Sequence, residues 1–351
     1  MVTKSKRQDA HWAKHFFVAV FFFATACASA EPASLLDQTR VSPVVAVGDI
    51  HGDYEAYMAI LRRAGIVDSA GEWAGGDTRF VQLGDVPDRG PDTRKILDHL
   101  MALEKQATRA GGAVIALIGN HEAMNITGDL RYVHPGEYAA FATATSPKLR
   151  DQYYRANVEA FTSFYRGESP TLTDKQVRAA FEEDFPLGYV EHRRAWAADG
   201  VYGRWISKHD AVHIIDQTLF VHGGISAEYA DRSIKSINDE VRAALTGAGP
   251  ADILTDELGP LWHRGNAQET ADGAQAVDLA LEAYDIDRII VGHTPQLSGV
   301  QSRYGGKVLL IDTGMSAHYG GVRSYVRIEG DIVTAVDGGR SQTLTTPEAG
   351  Q

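Results

Sequence analysis

The 351-residue chain has a single cysteine, Cys27, so no intrachain disulfide, thiolate metal cluster or disulfide-stapled scaffold is available to it. It has no internal repeat and no low-complexity tract, which excludes solenoids and compositionally disordered proteins. The apolar run Phe16 to Phe23 falls short of the roughly 20 residues that span a bilayer. Basic residues are outnumbered, 34 Lys and Arg against 46 Asp and Glu for a net charge of -12, and such a balance argues against nucleic acid as a partner.

The first 30 residues differ from the rest. Lys4, Lys6, Arg7 and Lys14 precede Phe16 to Phe23, and small residues follow from Ala24 to Ala30. This order predicts a secretory signal peptide, 1–30, cleaved after Ala28-Ser29-Ala30, and hence a periplasmic or secreted protein. Two variants lead to a membrane instead: retention of the signal, or lipidation of Cys27, since Ala24-Thr25-Ala26-Cys27 loosely resembles a lipoprotein box without its usual leucine. With 44% hydrophobic residues and 35 glycines, the remainder reads as one globular domain, 31–338, rich in tight strand-to-loop turns. It carries a mainly helical insertion at about 130–215, and a disordered tail is expected at 339–351.

Six strings place a metal-binding or phosphate-binding side chain on a short loop, five of them directly after a strand-like run. They are Gly48-Asp49-Ile50-His51-Gly52, Gly84-Asp85-Val86-Pro87-Asp88-Arg89-Gly90, Gly119-Asn120-His121-Glu122, Val221-His222-Gly223-Gly224, Leu261-Trp262-His263-Arg264-Gly265 and Gly292-His293-Thr294. Helical spacing over Tyr54 to Ala64 and Thr93 to Arg109 supplies crossovers, so the first three strands pair in parallel with their loops at one sheet edge. Singly, each Asp or Asn could cap a turn and each His could be a core residue. Jointly they describe a two-metal phosphoesterase.

The donor types specify the chemistry. Asp49, His51 and Asp85 make an oxygen and nitrogen set for one cation, and Asp85 can bridge to a second completed by Asn120, His222 and His293. Mixed imidazole and carboxylate ligation without sulfur suits manganese first, and iron or zinc, over calcium or magnesium. Two such ions about 3.5 to 4 Å apart hold a hydroxide that attacks phosphorus directly, without a covalent phosphoenzyme. Arg89 and Arg264 are fork-shaped donors for phosphate oxygens. His121 is placed to protonate the leaving group, and Asp88 to orient that imidazole and raise its pKa. Among the other histidines, His192, His209, His213 and His263 read as surface or packing residues. His318 is a candidate for facing the site.

This set resembles the calcineurin-like metallophosphoesterases, in particular their phosphoprotein phosphatase branch. The fuller strings Gly84 to Pro91, Gly259-Pro260-Leu261-Trp262-His263-Arg264-Gly265 and Ile311-Asp312-Thr313-Gly314-Met315 are similar to the bacterial-type Shewanella-like phosphatases, over Val44 to about Tyr319. The resemblance implies an α/β fold (α+β, four-layer) with a central β-sandwich flanked by helices. It also implies a dinuclear centre and dephosphorylation of phosphorylated protein or peptide, or of a small phosphoester. His263 stands where that family's string has tyrosine, a departure that bears on substrate preference. The rival readings are a dinucleoside polyphosphate hydrolase and a catalytically silent module that binds a phosphorylated ligand.

Overall fold

The computed structural model describes residues 42–344; the expected signal peptide, Cys27 and the last seven residues lie outside the described residues. Strand and helix alternate through β1 (Val44–Val47), α1 (Tyr54–Arg63), β2 (Arg79–Gln82), α2 (Thr93–Ala110), β3 (Ala113–Ala116) and α3 (Asn120–Thr127). Six helices follow without a strand: α4 (Pro135–Phe141), α5 (Ser146–Ala156), α6 (Val158–Glu168), α7 (Asp174–Asp184), α8 (Tyr189–Trp196) and α9 (Val201–Ile206). Then come β4 (Val212–Ile215), β5 (Thr218–Val221), α10 (Ala227–Ala230), α11 (Ile234–Leu245) and α12 (Ala271–Tyr284). β6 (Arg288–Val291), β7 (Gln301–Arg303), β8 (Val308–Leu310), β9 (Ser324–Glu329), β10 (Ile332–Asp337) and β11 (Arg340–Leu344) complete the order.

The strands form two mixed sheets, ordered β11-β10-β9-β1-β2-β3 and β4-β5-β6-β8-β7. In each, three neighbouring strands run parallel: β1, β2 and β3 at one end of the first sheet, and β5, β6 and β8 at the centre of the second. Side chains alternate between faces, so Val44, Ala46 and Val81 point into a dry layer shared with Phe220, Ile290 and Leu309 of the opposite sheet. Val45, Val47 and Phe80 point the other way, onto Tyr57, Leu61 and Leu100 of α1 and α2. The second sheet repeats this with Leu219 and Ile289 against Val241 and Val277 of α11 and α12. The result is the helix, sheet, sheet, helix layering expected of the family resemblance. Each fully buried aliphatic or aromatic side chain in these layers stabilises the fold by roughly 1.5–3 kcal/mol before entropy is counted.

Two local expectations are corrected. The helical stretch ends at Ile206, and the last part of the 130–215 interval is β4, whose four residues are too few to display an alternation. β9 pairs with β1 on one side and β10 on the other, which extends the first sheet beyond its parallel strands. The edge is β11, which lies in the stretch read as a disordered tail. Gly338 and Gly339, both at positive φ, form the two-residue loop that folds it back onto β10. Within the insertion, Tyr165, Val177 and Phe181 build a small separate core together with Tyr153, Tyr154 and Phe161.

Candidate metal centre

Each of the six parallel strands ends in a loop that carries a potential ligand: Asp49 after β1, Asp85 after β2, Asn120 after β3, His222 after β5, His293 after β6 and Asp312 after β8. The two sheets therefore present three donors each at a common edge, the carboxyl ends where α/β folds place ligands. Close approach of these loops requires glycine. Gly84 sits at φ 89°, and a Cβ there would lie 2.5 Å from the Gly119 amide nitrogen. A Cβ on Gly292 would lie 2.5 Å from Asp49 Oδ1.

Two donor groups share Asp85: His51, Asp85 and His121 form one, and Asp85, His222 and His293 the other. His51 Nδ1 donates to the Pro87 carbonyl at 3.1 Å, which leaves Nε2 aimed at Asp49 Oδ2 and Asp85 Oδ2, 3.9 and 3.8 Å away. His222 Nδ1 likewise donates to the Leu83 carbonyl at 2.8 Å. Its Nε2 then faces Asn120 Oδ1 at 2.9 Å, His293 Nδ1 at 3.2 Å and Asp85 Oδ1 at 3.3 Å. His293 Nε2 is buried without a partner, and its amide donates to Asp49. Thus Asp49, His51, Asp85, Asn120, His222 and His293 converge, and the backbone carbonyls fix which ring nitrogens are free to ligate.

The electrostatics suit cations. Burial, then the neighbouring Asp312 and Asp85, push the Asp49 carboxyl well above its usual range. Burial pushes Asp312 up to about 6, and its Oδ2 has no hydrogen-bond partner. Burial opposes ionisation of Asp85 too, but the imidazoles of His222 and His121 outweigh it and hold that carboxyl well below its usual range. Burial lowers His51 to about 3 against the pull of Asp85, and burial together with His222 lowers His293 to about 2. His51 and His293 are thus neutral beside crowded carboxylates, while burial of His222 is outweighed by Asp85, which raises that imidazole, and it would release its proton on ligating an ion; the residues fit a dinuclear centre.

Five of the eight non-glycine residues at positive φ among the described residues belong to this site: His51, Asp85, Asp88, Arg89 and His293. Each such conformation costs of order 1–2 kcal/mol and persists where surrounding bonds dictate it. Glu122, buried at the start of α3, provides three of those bonds by accepting from the amides of Gly119, Asp85 and Val86, each at 2.8 Å.

Beside the ligands stands the pair His121 and Asp88. His121 Nδ1 donates to Asp88 Oδ2 at 2.5 Å, and Asn125 Nδ2 donates to Asp88 Oδ1 at 2.9 Å. Burial disfavours charge on His121, but Asp85 and the hydrogen bond from Asp88 outweigh it and raise the imidazole to about 8. The Arg89 guanidinium lies 3.8 Å above the Tyr132 ring. Arg264 is exposed and tethered to the His293 loop, with Nη1 donating to the His293 carbonyl at 2.7 Å and to Thr294 Oγ1 at 3.1 Å.

Sequence reasoning did not assign Asp312, Glu122 or Tyr132 to the site. The Ile311-Asp312-Thr313-Gly314 string was a usable signal for the first, since it too follows an apolar run; Glu122 closes the Gly119-Asn120-His121-Glu122 string but was given no role there, and nothing local marks Tyr132. His192 is fully buried, whereas His209 pairs with Glu104 and His213 with Asp210 at the periphery. His318 packs on Tyr319, whose ring lies 5.4 Å from His51.

Two sheets that converge on clustered histidines and carboxylates define a metal-dependent phosphoesterase. Residues 42–297 match the calcineurin-like phosphoesterase family, and the chain belongs to it. Shewanella-like protein phosphatase 2 of Arabidopsis thaliana is 33% identical over 78% of this chain and 71% of its own length. Shewanella-like protein phosphatase 1 of Plasmodium berghei is 27% identical over 84% and 73%. The crystal structure of the cold-active protein-tyrosine phosphatase of a psychrophilic Shewanella superposes with a TM-score of 0.65 at 28% identity, covering 87% of this chain and 81% of that one.

Proposed function

We propose that this phosphoesterase is a protein phosphatase that removes phosphate from phosphorylated protein or peptide, or from small phosphoesters, by direct attack of water. The observation that carries the reading is the meeting, at one sheet edge, of six metal-type ligands with the His121 and Asp88 pair and the Arg89 guanidinium. The protein phosphatase names of the relatives support it over the dinucleoside polyphosphate alternative.

Asp49, His51, Asp85, Asn120, His222 and His293 hold two ions, manganese in the first instance and iron or zinc otherwise, given a donor set without sulfur. Ions held by these residues would supply an acidified water and electrophilic support for the phosphoryl oxygens. Arg89 and Arg264 orient the phosphate from outside the ligand shell and balance its charge as the ester bond breaks. His121 gives its proton to the departing oxygen, and Asp88 keeps the imidazole charged and turned toward it. The reading includes export by the 1–30 signal segment, which mass spectrometry of the mature N-terminus checks.

The test is a turnover panel on the manganese-loaded protein with phosphotyrosine and phosphoserine peptides and diadenosine tetraphosphate. Release of inorganic phosphate from the peptides, with the tetraphosphate left intact, is expected. Cleavage of the tetraphosphate alone, or peptide binding without phosphate release, overturns the proposal.

A further inference from the structure

The turn that carries Asp88 and Arg89 is backbone-strained at two consecutive residues, with φ of 73° and 66°. The amide of each is held by the segment that opens the helical insertion. Asp88 N donates to Glu137 Oε1 at 2.9 Å, and Arg89 N donates to the Tyr132 carbonyl at 3.0 Å. Glu137 is a charged residue type buried at the start of α4, 1% exposed, and neither of its oxygens meets a basic side chain at hydrogen-bond distance. Its Oε2 lies 3.8 Å from Nε2 of His192, itself fully buried in α8 with both ring nitrogens unpartnered. The His192 ring is walled in by Tyr138 and Phe141 at 5.1 and 5.3 Å. Burying such a side chain is costly, and the polar neighbours that offset the cost are the Asp88 amide, at hydrogen-bond distance, and the buried Thr93 side chain.

We propose that Glu137 is a positioning residue for catalysis: its side-chain carbonyl clamps the Asp88 amide, so that the helical insertion sets the aim of the Asp88 carboxylate and, through it, of His121. This rests on the reading of His121 as proton donor to the leaving group. Burial, then the charge on Asp88, pushes the Glu137 carboxyl up to about 8, so at neutral pH it is mainly an uncharged acceptor that glutamine reproduces. Hydrogen bonds thus join three elements in series: α4 of the insertion, the Asp88 and Arg89 turn, and α3 with His121.

The test compares Glu137→Gln, Glu137→Met and Glu137→Asp in the manganese-loaded protein, with kcat and KM for p-nitrophenyl phosphate and phenyl phosphate alongside manganese content. Phenyl phosphate has the poorer leaving group and depends more on a well-aimed acid. Glu137→Gln is expected to stay within about twofold on both substrates. Glu137→Met removes the acceptor and Glu137→Asp withdraws it by one methylene. Both are expected to keep their manganese and to lose about tenfold or more in kcat on phenyl phosphate, but about threefold or less on p-nitrophenyl phosphate. Equal loss on the two substrates, or a Gln variant as impaired as the Met variant, overturns the proposal. Should Glu137→Met not fold, Glu137→Asp decides by the same criterion. His121→Ala run alongside separates the two claims. If it shows the substrate-selective loss and the Glu137 variants do not, the clamp alone is refuted; if it loses both substrates equally, the proton-donor reading fails and the clamp with it.

Discussion

Replacing Asp88 by asparagine removes one charge at the point where the geometry concentrates the most consequence. Asparagine tolerates the left-handed backbone at this position and keeps an oxygen for the Asn125 amide, so the turn survives. What changes is the 2.5 Å bond to His121 Nδ1. A charge-assisted hydrogen bond of this kind contributes roughly 1.5–3 kcal/mol, and at 1.36 kcal/mol per pKa unit its loss lowers the imidazole pKa by about 1 to 2. Ions bound at Asp85 would cancel that carboxylate's support and leave Asp88 as the charge that keeps the ring protonated. The asparagine amide also donates toward Nδ1 and locks the ring neutral, with its remaining proton too weakly acidic to transfer. General acid catalysis is worth about 10²- to 10⁴-fold. Asp88→Asn is therefore expected to lower kcat on phenyl phosphate by about 10² or more, to lower it by about tenfold or less on p-nitrophenyl phosphate, and to retain manganese. Steady-state kinetics on the two esters with metal analysis of the same preparation is the assay. An equal loss on both esters, or unchanged turnover of phenyl phosphate, refutes the role assigned to the pair.

Three other perturbations have defined outcomes. Because the folded pKa of Glu137 is raised above its unfolded value of 4.5 to about 8, its contribution to stability is complete below pH 4.5 and is lost as pH rises toward 8; Glu137→Gln is expected to flatten the Tm profile over that window, and thermal melts at several pH values check it. Phe181→Ala empties the insertion core, where Phe181 contacts Phe161 and Tyr154 at 4.7 and 4.8 Å, and should cost about 3–5 kcal/mol locally; limited proteolysis is expected to cut within α6 and α7 while manganese stays bound. Dialysis against a chelator should abolish phosphate release and lower Tm, since each ion held at 100-fold excess over its Kd contributes about 2.7 kcal/mol; restoration of both by manganese is the control.

The strands were legible because their apolar runs are uninterrupted and end in glycine, as at Val44 to Val47 before Gly48. The crossover helices read over Tyr54 to Ala64 and Thr93 to Arg109 are α1 and α2, each within one residue of its observed end. The placement of the candidate ligands was legible for a related reason: a strand that stops in a Gly-Asp, Gly-Asn or His-Gly turn leaves its donor at the sheet edge. What could not be read was anything set by contacts between distant segments. Glu122 looks like an ordinary first-turn acid of α3, and only the fold brings the Asp85 and Val86 amides onto it. Glu137 looks like a solvated helix residue until the Asp88 turn is laid against it. β11 is polar at four of its five positions, Arg340, Ser341, Gln342 and Thr343, so no apolar pattern announced the strand that Gly338 and Gly339 fold back.

Anomalous diffraction from crystals of the protein soaked in manganese addresses the centre itself. Two peaks are expected where the loops after β1, β2, β3, β5, β6 and β8 meet, one against Asp49, His51 and Asp85 and the other against Asp85, Asn120, His222 and His293. A single peak, no peak, or manganese held elsewhere on the chain contradicts the dinuclear assignment.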